Sequence, residues 1–317
     1  MNTPRTFTNL ITLSNNFTNE KVCREYLEHI IWKGNRTCPH CKSQNSYVIE
    51  KGKRYKCANP NCYKKFTVTV GTFLESSKIP LKKWFHAIYI FSSHKKGVSS
   101  CQLAKDLGIT QKSAWFVLSR IREIFKEKAP FVIDGIAELD ECYIGGKEGN
   151  KHESKRKYDE QGRLLENKAP VIGIVGREGK AILISVNEVN KQTVFPLIAK
   201  HVKEGSTMVT DAFKLYRTLR HKYTHKSVDH SSGEYVRGDF HTNTVEGFFS
   251  HLKRGLIGVY HHASPKHLHR YCNEFSFRYN TRKCKEVERF DIALAQSQGR
   301  LKYSQLIAKA DFGQPKM

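Results

Sequence analysis

The sequence predicts an α/β chain: a mixed sheet flanked by helices, preceded by a small cysteine-paired hairpin and by two short helices about a tight turn. Three observations carry that expectation. From residue 131 onward, strand and helix periodicities follow one another as strand, strand, strand, helix, strand, helix, an order that builds a mixed sheet covered by helices. Between residues 38 and 62, four cysteines fall in two close pairs. Between residues 99 and 125, two amphipathic segments meet at Leu107-Gly108-Ile109.

The 317 residues suffice for roughly two domains and a sizeable core. Lys and Arg number 54 against 30 Asp and Glu, a net +24 that exceeds what solubility requires and predicts a polyanionic partner, nucleic acid first. An anionic membrane surface is the competing partner, but no apolar run approaches the ~18 residues of a spanning helix. The first residues lack a basic region followed by an apolar stretch, so no secretory signal is expected. Nine cysteines, an odd count outside a secretory context, read as thiols or metal ligands in the reducing cytoplasm.

Residues 1–16 are polar and expected to be loose, whereas residues 19–32 carry Val22, Tyr26, Ile30 and Ile31 near one helical stripe. Cys38 and Cys41 form CPHC, Cys57 and Cys62 form CANPNC, and 15 residues separate the pairs. Between them SYVIE and RYKC read as two strands joined at Lys51-Gly52-Lys53. Two cysteine pairs on hairpin turns make a tetrahedral thiolate cage, a zinc ribbon with one Zn²⁺; four protein ligands leave no open position, so the ion is structural. The second knuckle is wider than the usual two intervening residues.

Residues 81–94 form an aromatic-rich helix entered through Pro80. In the two helices that follow, Ser99 or Ser100 caps the first and Thr110 the second, with Gly108 able to take positive φ at the turn. This is the pattern of a helix-turn-helix, whose second helix enters the major groove and would place Gln111, Lys112 and Ser113 near the bases, with Arg120 and Arg122 farther along. An ordinary helical hairpin shares the signature. Beyond Pro130, FVIDGIAELDECYIGG alternates as a strand, and residues 147–168 are charged throughout and read as an excursion. PVIGIVGREG and KAILISVNEV pair about Glu178-Gly179. A helix follows over 190–202, then the short strand MVTD ending in Asp211 and leading into another helix, and then the strand YTHKSVDH. Residues 264–282 form a helix with Leu268, Tyr271, Cys272, Phe275 and Tyr279 inward, and the last 35 residues show little chemistry.

The stretch 241–254, HTNTVEGFFSHLKR, carries the densest chemistry. On a helix Asn243, Glu246, Ser250 and Lys253 share one face, Val245, Phe248 and Leu252 fall on another, and Phe249 lies between them. Glu246 and Lys253, two turns apart, are too distant to pair with each other and are placed to serve a third party such as a metal ion and a phosphate. Asp140 on the first strand and Asp211 at the end of MVTD make three acids on three elements. Phosphodiester cleavage at neutral pH needs an activated nucleophile and a stabilised leaving oxygen. Two divalent ions ~3.5–4 Å apart provide both, and carboxylate oxygens suit Mg²⁺. Glu141 and Asp239 are rivals, although Glu141 alternates away from Asp140 on a strand. Singly, each acid reads equally as a surface charge, and Thr242 or Asn243 as a helix N-cap.

ELDECYIGGK, VTDAFKLY, GEYVRGDFHTNTVEGFFSHLKRG and YHHASPKHLHRYCNEFSFRYNTR together resemble the ISXO-like transposases of bacterial insertion sequences, DDE-superfamily enzymes with a ribonuclease-H-like core. The resemblance covers about residues 38–282. It implies that Asp140, Asp211 and Glu246 are the catalytic, metal-binding triad for two Mg²⁺, with Mn²⁺ able to substitute. The 34 residues between Asp211 and Glu246 come close to the superfamily's spacing. It further implies a DNA contact from Lys253, the basic residue two turns beyond the glutamate; from the residues of the stretch itself, Asn243, His241 and Arg254 are expected to help hold the DNA. The implied enzyme binds terminal inverted repeats, cleaves and joins transposon-end and target DNA, works as a homodimer or larger synaptic assembly, and resides in the bacterial cytoplasm at the nucleoid without a membrane partner. The expected domains are an N-terminal helix and zinc ribbon (1–75), a helix-turn-helix region (76–130), the ribonuclease-H-like core (131–285) and a C-terminal tail (286–317). Competing readings are a DNA-binding regulator with an inactive core and a ribonuclease-H-like nuclease that only hydrolyses.

Overall fold

The computed structural model describes residues 6–126, 131–146, 148–150, 152–156, 168–228 and 236–308. The chain forms two compact units, residues 1–126 with 283–317, and residues 127–282.

In the first unit, the stretch expected to be loose holds α1 (Leu10–Asn16), capped by Asn9, whose side chain accepts from the Thr12 N–H at 2.9 Å. Phe7, Leu13 and Phe17 are buried, and three apolar anchors in eleven residues outweigh the polar composition around them. Asn19 caps α2 (Glu20–Trp32). The ribbon consists of β1 (Ser46–Ile49) and β2 (Arg54–Cys57), antiparallel as expected, and a two-residue β3 (Lys65–Phe66) that pairs Phe66 with Tyr55. α3 (Leu81–Ser93) buries Trp84, Phe85, Ile88 and Phe91. α4 (Ser100–Leu107) and α5 (Gln111–Ile124) are capped by Ser99 and Thr110, and Gly108 turns between them at φ 56°. Arg120 and Arg122 lie inside, not on the outer face of α5; Arg120 Nη2 donates to the Glu75 carbonyl at 2.8 Å.

The second unit is built on five strands. β4 (Ile136–Ile144), β5 (Ala169–Gly176) and β6 (Ala181–Ser185) form an antiparallel meander, and α6 (Lys191–His201) crosses to β7 (Thr207–Asp211), which lies parallel to β4. A 3₁₀ turn, Lys214–His221, replaces the expected helix and leads to β8 (Thr224–Val228), parallel to β7. The order β6-β5-β4-β7-β8, with the first strand central, is the ribonuclease-H-like mixed sheet. A small hairpin of β9 (Val236–Arg237) and β10 (Phe240–His241) feeds α7 (Asn243–Gly255), a π-helical turn at Leu256–Tyr260, and α8 (Pro265–Asn280). On one side of the sheet Cys142, Val171 and Leu183 pack with Val245, Phe248, Phe249 and Leu252 of α7 and Leu268 and Phe275 of α8. On the other, Ala137, Leu139, Ile172 and Ile174 pack with Val194 and Ile198 of α6 and with Tyr216. Most of the charged excursion, residues 147–168, falls outside the described residues.

The chain then returns to the first unit with α9 (Glu286–Ala295) and α10 (Tyr303–Ile307). Phe290 packs edge-on against Phe7 at 5.3 Å and Phe85 at 5.5 Å between ring centroids, so residues expected to be a plain tail supply core. Among the described residues, no helix is long and apolar enough to cross a membrane.

Candidate active site

Two strands bring the aspartates level. In the parallel pair β4–β7, Ile136 lies opposite Thr207 and Glu138 opposite Val209. Carried two residues farther, the same offset sets Asp140 beside Asp211, and residues level on neighbouring strands point to one side of the sheet. Asp140 is half-buried, and its Oδ1 accepts from the Glu141 N–H at 2.8 Å. Burial pushes its carboxyl up to about 7, and the charges of Glu141, Asp211 and Glu246 push the same way. Asp211 Oδ1 accepts from the Phe213 N–H at 3.1 Å, which orients the carboxylate at the strand end.

Glu246 arrives on α7. Asn243, Glu246, Ser250 and Lys253 are all exposed, and Val245, Phe248 and Leu252 are buried, as the helical period requires. Phe249 does not lie between the faces: it is 4% exposed and fills the space that Gly173 leaves open on β5. Neither Thr242 nor Asn243 caps the helix with its side chain. Thr242 stands at the cap position, but its hydroxyl donates to Glu246 Oε1 at 3.0 Å. The cap comes from β4 instead: Glu138 Oε2 accepts from the N–H groups of Thr244 at 2.9 Å and Val245 at 3.1 Å, and Oε1 accepts from the Thr244 hydroxyl at 2.8 Å.

Other expected site residues divide by orientation. Glu141 does alternate away from Asp140: its Oε2 accepts from the Tyr216 hydroxyl at 2.6 Å on the α6 side. Burial raises its carboxyl, and the charge of Asp211 adds to the rise. Asp239 is exposed between β9 and β10. The charge of Lys253 reaches the thiol of Cys142, on the same side of β4 as Asp140. Arg254 Nε donates to the Ser250 carbonyl at 3.2 Å. His241 turns inward, its Nδ1 3.4 Å from Glu138 Oε1. In the first unit, Gln111 and Lys112 are exposed on the first turn of α5. Gln111 Nε2 donates to Ser100 Oγ at 2.8 Å, Lys112 Nζ lies 5.3 Å from the Tyr303 ring centroid, and the Ser113 N–H donates to Thr110 Oγ1 at 3.2 Å.

The sulfurs of Cys38, Cys41, Cys57 and Cys62 all lie within 4.8 Å of one another, the cage of a zinc ribbon. Within the cage a hydrogen bond from the Ser43 backbone lowers the Cys41 thiol to about 7, whereas burial raises that of Cys57 to about 12. Among the described residues this is the one such cluster of candidate ligands. Asp140, Asp211 and Glu246 are gathered by register and charge but do not close to that spacing.

Glu138, its partner Arg177, and Tyr216 are site residues that the sequence reading does not single out. The available signal is parity: Glu138 shares the Asp140 side of β4, so that side of one strand carries two acids, of which Glu138 is fully buried.

The ISXO2-like transposase domain matches residues 132–280, and the transposase zinc-ribbon domain matches residues 18–65. A Halobacterium salinarum protein described as an uncharacterized protein in transposable element ISH50 is 29% identical over 276 residues, covering 83% of this chain and 91% of that protein. An uncharacterized transposase-like protein of Haemophilus influenzae is 27% identical over 107 residues, 33% of this chain and 85% of that protein. Among solved structures, a pre-cleavage Mos1 transpososome aligns with 64% of this chain and 75% of its own at 13% identity, with a TM-score of 0.22 that bears no weight. The two matched domains fall on the ribbon and on the five-stranded unit, and the chain belongs to the IS1595-type, ISXO2-like transposase family.

Proposed function

We propose that this chain is a DDE transposase that binds the terminal inverted repeats of its insertion sequence and cuts and joins DNA at Asp140, Asp211 and Glu246. The observation that carries this is the placement of three carboxyls: strand register sets Asp140 beside Asp211, and α7 packs on the Asp140 side of β4 and brings Glu246 there, so that the charges of Asp211 and Glu246 add to a rise at Asp140 caused first by burial. Such crowding costs energy without a cation, and an all-carboxylate donor set fits Mg²⁺, with Mn²⁺ as substitute. Asp140 and Asp211, level on adjacent strands, and Glu246 from α7 are the residues that would hold two such ions. When bound, these ions lower the pKa of water and balance charge on the leaving oxygen.

The remaining roles belong to the chain's own groups. Thr242 orients Glu246 by donating its hydroxyl to one carboxylate oxygen. Lys253, exposed two turns beyond Glu246, binds a phosphate or base of the transposon end with Arg254 next to it, and Asn243 adds a contact from the start of the same helix face. The ribbon and the α4–α5 pair, acting as a helix-turn-helix, read the terminal repeats through Gln111, Lys112 and Ser113. The net +24 adds sequence-independent attraction that weakens with salt. Attack by water on the end phosphodiester breaks its P–O3′ bond, leaving a 5′-phosphate and freeing a 3′-OH. That hydroxyl then attacks a target phosphodiester, forming a new P–O bond as the target P–O3′ bond breaks and releases the target's 3′-OH. Holding two ends at once requires a homodimer or larger synaptic assembly at the nucleoid.

The test is metal-dependent cleavage of duplexes taken from the DNA flanking the encoding gene. The unmodified protein should give 3′-OH nicks and joined products. Asp211→Ala and Glu246→Ala should bind the same duplex and cut none of it; cutting by either variant overturns the triad. Nicks without joined products would make the protein a nuclease, and binding without nicks a regulator.

A further inference from the structure

We infer that Glu138 is a positioning residue that sets the height of Glu246 above Asp140. The inference rests on the proposed role of those two acids. Glu138 is 0% exposed, and burying a carboxylate costs several kcal/mol unless its oxygens are fully engaged. Here they are. Three donors come from the first turn of α7: the N–H groups of Thr244 and Val245 and the Thr244 hydroxyl. Arg177 Nε and His241 Nδ1 each stand 3.4 Å from Oε1. His241 Nδ1 is itself buried and has no hydrogen-bond partner among the described residues, so the polar group it faces is this carboxylate.

A helix needs no such arrangement merely to begin. A local Ser, Thr, Asn or Asp at the cap position satisfies the same N–H groups at the surface, as Asn9, Asn19, Ser99 and Asn190 do elsewhere in this chain. At α7 the residue in the cap position directs its hydroxyl to Glu246, and the cap is supplied from a strand more than a hundred residues earlier. What a remote cap adds is a fixed distance between strand and helix. The tie lies two residues from Asp140 along β4, about 6.6 Å at the strand's rise per residue, and two residues from Glu246 along α7. Carboxylates that share a pair of ions must be held to within about half an ångström, so the tie acts on ion affinity before it acts on fold.

The test uses Glu138→Gln in the full chain with Mn²⁺ as the probe, since Gln keeps the shape and one acceptor but replaces the second acceptor with a donor facing the α7 N–H groups. Three quantities are read: Mn²⁺ affinity by electron paramagnetic resonance, transposon-end binding in chelator, and the Mg²⁺ concentration giving half-maximal cleavage. The expected result is at least tenfold weaker Mn²⁺ binding and a matching rise in the Mg²⁺ requirement, with end binding within twofold of the unmodified protein. Unchanged Mn²⁺ affinity and Mg²⁺ requirement overturn the inference. Should Glu138→Gln fail to fold, Thr244→Val removes only the hydroxyl donor; it should shift Mn²⁺ affinity about threefold, and no shift overturns the inference. Asp140→Asn and Glu246→Gln serve as references. If both still bind Mn²⁺ and cut, the metal-site reading falls; if both lose Mn²⁺ while Glu138→Gln behaves as the unmodified protein, only the role of Glu138 falls.

Discussion

Gly173 and Phe249 touch across the interface between sheet and helix: a Cβ built on Gly173 would stand 2.8 Å from two ring carbons of Phe249 and 2.8 Å from a methyl of Val245. Gly173 is also the residue directly opposite Asp140 in the β4–β5 pair. The missing side chain lets α7 lie close behind the first acid, so one hydrogen atom's worth of space sets how far Glu246 stands from the sheet. Gly173→Ala should therefore force the helix outward and cost about 1–3 kcal/mol through overpacking. Cleavage should fall further than that loss of stability explains, because the metal-holding geometry moves with the helix. Phe249→Leu added to Gly173→Ala should recover part of both. Thermal melting and cleavage measured side by side decide the matter, and a Gly173→Ala protein identical to the unmodified one would mean the contact is not tight.

Asp140 gives stability a pH dependence with a definite sign. An unperturbed aspartate ionises near pH ~3.9, and burial pushes Asp140 up to about 7. The folded protein thus holds this proton more tightly than the unfolded chain. The associated stability is complete below the unfolded value and is lost as pH rises through the folded one. In metal-free protein, the melting temperature should decline between those two pH values, and Asp140→Asn should flatten that part of the curve. Mn²⁺ should reverse the trend, since it favours the carboxylate and its binding releases protons. Melting curves in chelator that keep the same slope in Asp140→Asn would contradict the crowding described at this residue.

What was legible in the sequence was whatever repeats along the chain. The period of 3.6 gives both faces of α7 from Asn243 to Lys253, and the alternation in ELDECYI separates Asp140 from Glu141. Two cysteine pairs give the ribbon cage. What was not legible depends on distant partners. Glu138 is one acid in a strand, and nothing local shows that its oxygens will be used by Thr244 and Val245. Phe249 sits at the edge of a helical wheel, and only the glycine on β5 makes it core. β3 is two residues long, too short to show a period, and α1 hides one buried leucine among polar letters. Phe290 becomes core because closure of the first unit brings Phe7 and Phe85 to it.

Zinc removal should undo the ribbon and leave the five-stranded unit standing. Trp32 packs on the ribbon core, 5.3 Å from Tyr55 and 6.3 Å from Phe66 between ring centroids. Its fluorescence should therefore report the opening of the cage. One zinc per chain is expected by atomic absorption, falling to none in Cys57→Ser, whose side chain is fully buried and cannot be replaced by an outside ligand. Chelation should shift Trp32 emission to the red and lower end affinity at least tenfold, while far-ultraviolet signal from the second unit persists. A Cys57→Ser protein that retains one zinc would remove the four-cysteine assignment.

The ribbon's outer face should carry part of the DNA affinity as pure charge. Antiparallel pairing sets Tyr47 opposite Lys56 and Lys56 opposite Lys65, so the three share one face of the three strands, opposite the buried Tyr55 and Phe66. Tyr63 is exposed beside them, its ring 5.4 Å from Lys56 Nζ. Two lysines directly across a strand pair repel each other, a cost that a neighbouring phosphate cancels. Lys56→Ala with Lys65→Ala should weaken binding to transposon-end and unrelated duplexes alike. The double substitution should also flatten the logarithmic salt dependence by about 2, close to ~0.9 for each phosphate that a lysine no longer neutralises. Gln111→Ala should do the opposite: little change in salt dependence, and a narrower preference for the end sequence over unrelated DNA. Filter binding across a salt series separates the two effects. A double lysine variant whose salt dependence matches the unmodified protein would place the phosphate-binding charges elsewhere in the chain.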